Sequence, residues 1–142
     1  PDTWIPIFYS VAMGMDALAA LIFGRLFDRI GASVLIFVTM LSAFFAPLVF
    51  LGNLYPALIG TALWGVGIGA QESIMRAAVA EMVPADRRGT AYGVFNTGYG
   101  LLWSAGSALM GILYNVSVPS LVAFSMLTQV ASIILLFIVY RS

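Results

Sequence analysis

The chain contains no lysine, no histidine and no cysteine, and charged residues fill only 8% of its 142 positions. Without cysteine there is no disulfide framework, no thiolate nucleophile and no thiolate metal site. Without histidine there is no imidazole ligation and no histidine acid–base chemistry. A phosphate-binding loop that needs lysine is excluded as well, so no metal and no cofactor is expected. Charge balances at six basic against six acidic residues, which gives no basis for binding nucleic acid. What fills the chain is apolar, with 62% hydrophobic residues and a mean hydropathy of +1.04. A soluble domain carries about a quarter charged residues, so water is not the solvent this composition fits.

About 20 apolar residues are needed for a helix to cross the ~30 Å hydrocarbon core. Five segments meet that length, at residues 4–23, 33–52, 56–80, 90–113 and 119–140. The expected fold is therefore all-α, a polytopic membrane protein of five transmembrane helices in a single domain over 1–142. A chain this short has too little interior to hide five such helices in a soluble core. It begins with Pro1 directly before an apolar span, with no basic region and small-residue cleavage site. No signal peptide is read there, and a piece of a longer protein is the simpler reading.

Five of the six arginines fall at alternate ends of the spans: Arg25 and Arg29, then Arg87 and Arg88, then Arg141. Cytoplasmic ends carry the excess of arginine and lysine, which puts the N-terminus outside and the C-terminus in the cytoplasm. The breaks at Gly52–Pro56 and Tyr114–Pro119 carry no charge and fall outside, as does Asp2. Trp4, Tyr55, Tyr114 and Tyr140 stand near span ends, where aromatic residues anchor at the interface.

Seven positions inside the spans draw attention because polar groups there are costly. Asp16 lies about eight residues, or ~12 Å, from the charged break that follows the first span. A carboxylate near mid-membrane should face a cavity or a partner, and burial there would raise its pKa, which suits proton coupling. A structural carboxylate bonded to a neighbouring helix fits the spacing as well. Glu72 and Arg76 stand four apart with Glu first, the favourable order for an intrahelical ion pair. Such a pair can be structural, or Arg76 can reach Asp28 in one conformation only. Asn96, Tyr99, Trp103 and Ser107 recur at three and four residues and so share one helix face. That face suits a substrate cavity of mixed polarity, and interhelical hydrogen bonding equally. Gly65-x-x-x-Gly69, Gly89-x-x-x-Gly93 and Ser107-x-x-x-Gly111 are small-residue patterns that let helix backbones approach closely.

The break between the first two spans is Gly24-Arg25-Leu26-Phe27-Asp28-Arg29-Ile30-Gly31. Its glycines permit a tight turn, and Asp28 is placed to accept N–H groups at the N-terminus of a nearby helix. A conformational latch and a solvated turn are both compatible with that spacing. The stretch resembles the Gly-x-Leu-x-Asp-Arg-x-Gly signature of the major facilitator superfamily of secondary transporters. There it lies between the second and third helices of a six-helix half. Ala32 and Ser33 stand where the signature continues with a basic pair. The run Glu81-Met82-Val83-Pro84-Ala85-Asp86-Arg87-Arg88-Gly89-Thr90-Ala91-Tyr92-Gly93, leading into Gly106–Gly111, resembles the family's loop between the fourth and fifth helices.

The resemblance implies a partial six-helix bundle, an incomplete C-terminal half equivalent to helices eight to twelve of a twelve-helix transporter. It makes Gly24, Arg25, Asp28, Arg29 and Gly31 a conformational motif, with Pro84, Arg87, Arg88 and Gly89 in a second cytoplasmic loop. Asp16, Glu72, Arg76, Asn96, Tyr99, Trp103 and Ser107 are the candidate coupling or cavity residues. The implied function is transport of a small solute by alternating access, proton-coupled, in a bacterial inner membrane. The implied partners are membrane lipid, the solute, the missing first helix of this half and the N-terminal half. A non-transporting membrane assembly module is the main rival. An intramembrane enzyme would need a convergent carboxylate pair, and Asp16 and Glu72 lie on different spans.

Overall fold

The computed structural model describes residues 2–31 and 33–141. Pro1, Ala32 and Ser142 lie outside the described residues, as do the side chains of Asp2, Tyr140 and Arg141, so the expectations placed on those positions lie outside them too. The described chain is helical throughout: α1 (Ile5–Ile30), α2 (Ser33–Ser42), α3 (Phe45–Leu51), α4 (Leu54–Met82), α5 (Arg88–Val116) and α6 (Val118–Arg141). Single 3-10 turns at Asp2–Trp4 and Ala85–Arg87 lead into α1 and α5.

α1 does not stop at residue 23. It runs on through the charged stretch to Ile30, 26 residues and about 39 Å long. Gly24 is thus inside a helix, and the tight turn expected of it is made by Gly31 alone. Gly31 has φ +68°, a conformation that suits glycine, and its N–H closes the helix on the Phe27 carbonyl at 2.8 Å.

The expected continuous helix over 33–52 is broken into α2 and α3 by a turn at Ala43–Phe44. Pro47 is the cause, because it has no N–H to bond the Ala43 carbonyl four residues back. The Thr39 and Ser42 hydroxyls donate to the Leu35 and Thr39 carbonyls beside the break, at 2.7 and 3.3 Å. The bend lies against α4, where a Cβ on Gly67 would sit 2.9 Å from that of Ser42.

Ile5–Ile30, Ser33–Leu51 and Val118–Val139 are each long and apolar enough to cross a membrane. α4 and α5 are longer, at 29 residues each, but glycines and polar side chains interrupt their apolar character. α1 packs along α4, and α2 and α3 cover α4 from another side. The N-terminal half of α6 rests on α2 and α3, burying Leu121, Val122 and Ser125. The core gathers Phe27, Val34, Val38, Ala70 and Ile74, one cluster drawn from α1, α2 and α4. Large apolar side chains such as Leu127, Ile134, Leu135 and Val139 point outward along α6. Apolar surface on this scale belongs against lipid or another helix.

α5 is the exception to this packing, with no buried residue among those described. A Cβ added at Gly89, Gly93 or Gly111 would meet nothing within 4 Å. The two small-residue patterns on α5 therefore make no close helix contact here, whereas Gly65 and Gly69 of α4 do.

Candidate functional site: a polar cleft between the first and fourth helices

The seam between α1 and α4 is built from small residues at a spacing of four. Ala12, Asp16, Ala20 and Gly24 follow one another along α1, and Gly65, Gly69 and Ser73 along α4. A Cβ on Gly65 would overlap the Ala12 carbonyl oxygen. One on Gly69 would overlap the Asp16 carbonyl oxygen and lie 2.6 Å from Asp16 Oδ1. One on Gly24 would meet the Ser73 hydroxyl at 2.8 Å. Contacts advance in the same direction on both helices, so α1 and α4 run parallel with their backbones in near contact. Asp16 is the one member of the α1 stripe that is not small.

This seam opens into a cleft of about 400 Å³ lined by Asp16, Ala17, Ala20, Gly69, Glu72, Ser73 and Arg76. Asp16 is half-buried against the backbone of Gly69. It makes no hydrogen bond or ion pair among the described residues. Glu72 and Arg76 form an ion pair, Arg76 Nη2 donating to Glu72 Oε2 at 2.7 Å, with both side chains partly open at the cleft mouth. The guanidinium is thus engaged within α4, and it does not bridge to Asp28. Measured on the full length of α1, Asp16 stands near its middle, about 16 Å from Ile5 and about 21 Å from Ile30.

α5 follows α4 through a short loop and touches it near the loop. Val83 and Pro84 turn the chain, Arg87 N–H bonds the Pro84 carbonyl at 3.0 Å, and α5 starts at Arg88. Arg88 Nε donates to the Val83 carbonyl at 3.2 Å, tying the loop to its own helix start. Further along α5, the Tyr92 hydroxyl donates to the Arg76 carbonyl at 2.9 Å. The two helices are antiparallel, so seven residues on, about 10 Å, Tyr99 comes to the level of Gly69 and Asp16. Phe95, Tyr99 and Trp103 form a ladder, with ring centroids 6.1 and 5.8 Å apart.

Asn96 and Ser107 are exposed and make no hydrogen bond among the described residues. The interhelical bond on this face comes from Tyr92, which the sequence reading did not single out. Ser73 and Phe95 were also missed. The α1 pattern of a carboxylate embedded in a small-residue stripe was the available signal for Ser73.

The two expected cytoplasmic motifs hold themselves locally. Asp28 is exposed near the end of α1 and bonds no helix N-terminus among the described residues. Its own helix continues past it to Ile30. Arg25 Nη1 donates to the Leu21 carbonyl at 3.3 Å, and Arg29 stands in the last turn of α1, where the dipole favours a cation. Asp86 and Arg87 form a loose surface pair at 3.8 Å, which contributes little. Gly89, in the first turn of α5, is exposed.

No group of three or more metal-ligating side chains occurs among the described residues.

The family model of the Major Facilitator Superfamily matches residues 3–142, and the chain belongs to that superfamily. With its apolar helices, it is an integral membrane protein of a family of transporters. Similar curated proteins include an uncharacterized protein of Mycobacterium bovis and others from two strains of Mycobacterium tuberculosis. Each is 38% identical over 133 residues, covering 94% of this chain and 32% of the relative. The chain thus spans about a third of the length of the curated relatives it matches. No solved structure matches it.

Proposed function

We propose that this chain forms five membrane spans of a secondary transporter that moves a small solute by alternating access, coupled to protons. The spans are α1, the bent α2–α3 pair, α4, α5 and α6, equivalent to helices eight to twelve, with the N-terminus outside and the C-terminus in the cytoplasm. The observation that carries the reading is the convergence of Asp16, Glu72 and Arg76, from two helices, on one cleft. A carboxylate near the middle of a membrane helix is costly, and residues kept at that cost mark proton or solute paths. Asp16 is the proton carrier in this reading, with Glu72 and Arg76 as the ionisable groups that share its cleft. The Glu72–Arg76 pair is closed within α4, and Asp16 takes no part in it. No covalent chemistry is involved.

The open side of α5, with its unfilled glycines, is where the rest of a longer transporter would pack. Lipid covers the outward apolar side chains of α6. Full-length protein reconstituted in vesicles and given a panel of labelled solutes under an imposed proton gradient is the test. At least one solute should accumulate above equilibration, and a protonophore should abolish the excess. No gradient-dependent uptake from a broad panel would favour a non-transporting assembly module instead.

A further inference from the structure

We infer that the groove between the end of α4 and the start of α5 holds an anionic phospholipid, its phosphate on Arg87 and an acyl chain laid between the two helices. The inference rests on the five-span reading, which ends both helices at the membrane surface, and on nothing about what is transported. The groove has a volume of about 760 Å³ and shares no lining residue with the Asp16 cleft. Val79 and Met82 stand on its α4 wall, and Ala91, Val94 and Phe95 on its α5 wall. Met82 and Val94 keep 81% and 71% of their surface open, so no described part of the chain fills the space between them. α4 has 29 residues, about 44 Å against a hydrocarbon core of ~30 Å, so its last turns reach the headgroup layer. An apolar groove opening at that level lies where an acyl chain meets its headgroup.

Charge supplies the second half of the match. Arg87 lines the groove, and its pair with Asp86 is loose, 3.8 Å apart with both side chains largely exposed. Its guanidinium therefore has N–H groups free for a phosphate, which it can bind with two parallel bonds. Arg88 gives its Nε to the Val83 carbonyl at 3.2 Å, which keeps a second guanidinium at the same end. Glu81 and Asp86 balance the two arginines over residues 81–88, so recognition comes from contact and not from net charge. A free phosphate would leave the apolar walls bare, and a neutral apolar guest would leave Arg87 without its anion. A choline headgroup brings its own cation up to the arginines. The occupant that answers every feature has an apolar tail and a headgroup of net negative charge, as basic pockets between membrane helices take.

Purified full-length protein in detergent would be given phosphatidylglycerol and phosphatidylcholine of identical acyl chains, and the lipids it retains counted by native mass spectrometry. Wild type should retain one more tightly bound phosphatidylglycerol than Arg87→Gln does, with affinity for it falling about fivefold in the variant. Ala91→Trp fills the groove and leaves both arginines in place, and it should lose the same lipid. Arg29→Gln removes a cation at the end of α1, outside the groove, and should bind as wild type. An Arg87→Gln protein that retains as much phosphatidylglycerol as wild type would overturn the assignment. So would Ala91→Trp binding as wild type while Arg87→Gln does not, because the lipid would then sit on surface charge alone. Equal loss in Arg29→Gln would also overturn it. Gradient-dependent uptake by the same wild-type protein keeps the two readings apart: uptake without this lipid removes the lipid site alone, and the lipid without uptake removes the transporter reading alone.

Discussion

Gly69→Ala should separate α1 from α4 and cost more stability than any other single methyl added to this chain's glycines, Gly65 excepted. The added Cβ would fall on the Asp16 carbonyl oxygen, a backbone atom that no rotamer change can move. The helices must part by more than the neighbouring side chains can absorb, and over-packing of this kind costs about 1–3 kcal/mol or more. Membrane helix pairs held by small residues depend on that close approach, since lipid offers no hydrophobic gain from association. Gly24→Ala is the internal comparison, because its clash is with the Ser73 hydroxyl, a side-chain atom that can swing aside. Gly93→Ala is the other, with nothing within 4 Å, and alanine's better helix propensity there is worth up to about 1 kcal/mol. Thermal midpoints of the three variants in one detergent should rank Gly69→Ala lowest and Gly93→Ala at or above wild type. A Gly69→Ala protein as stable as Gly93→Ala would contradict the packing of the seam.

Asp16→Asn should abolish uphill accumulation by the full-length transporter, a loss on the order of tenfold or more in the solute gradient it sustains. Asparagine is nearly isosteric and keeps the contact against Gly69, so the seam should survive and the thermal midpoint should stay close to wild type. What disappears is the carboxylate on which the proposed coupling rests. Glu72→Gln acts differently, because Glu72 already holds Arg76 and its loss leaves a lone cation beside Asp16. The new neighbour for Arg76 would then be Asp16, and coupling should weaken through that capture. An Asp16→Asn transporter that still accumulates solute with unchanged dependence on the proton gradient would remove Asp16 from the coupling path.

Much of the helical plan was legible from composition and span length, and the two arginine-bearing breaks identified the family. The reasons for the misses are local. A charged run between apolar segments reads as a loop, yet Gly24–Ile30 stays helical because α1 extends about 10 Å beyond its apolar part. Arginine and aspartate at a helix end meet headgroups and water, so nothing there requires the helix to stop. Pro47 sat inside an apolar segment of the right length and was absorbed into it, although its missing N–H decides where the segment bends. The candidate residues Asp16, Glu72 and Arg76 stood out because charge is scarce in this chain. Their convergence did not, since it depends on the parallel register of α1 on α4, which is fixed by glycines and alanines rather than by the charges. The α5 face was legible as a stripe. That Tyr92 anchors it while Asn96 and Ser107 stand open follows from how little of α5 is covered.

The central claim is that a water-accessible cleft penetrates the span of α1 beside Asp16. These 142 residues contain no cysteine, so single cysteines placed in them are directly measurable in a full-length protein whose remaining segments are first freed of any cysteine. Ala17→Cys and Ala20→Cys line the cleft, while Leu18→Cys lies on an exposed apolar side of the same helix turn. Full-length protein in lipid vesicles would be exposed to a small, charged, membrane-impermeant thiol reagent. Labelling at positions 17 and 20, with protection by bound solute, and none at position 18 is the expected result. Equal labelling at all three positions, or none at any, would contradict the account.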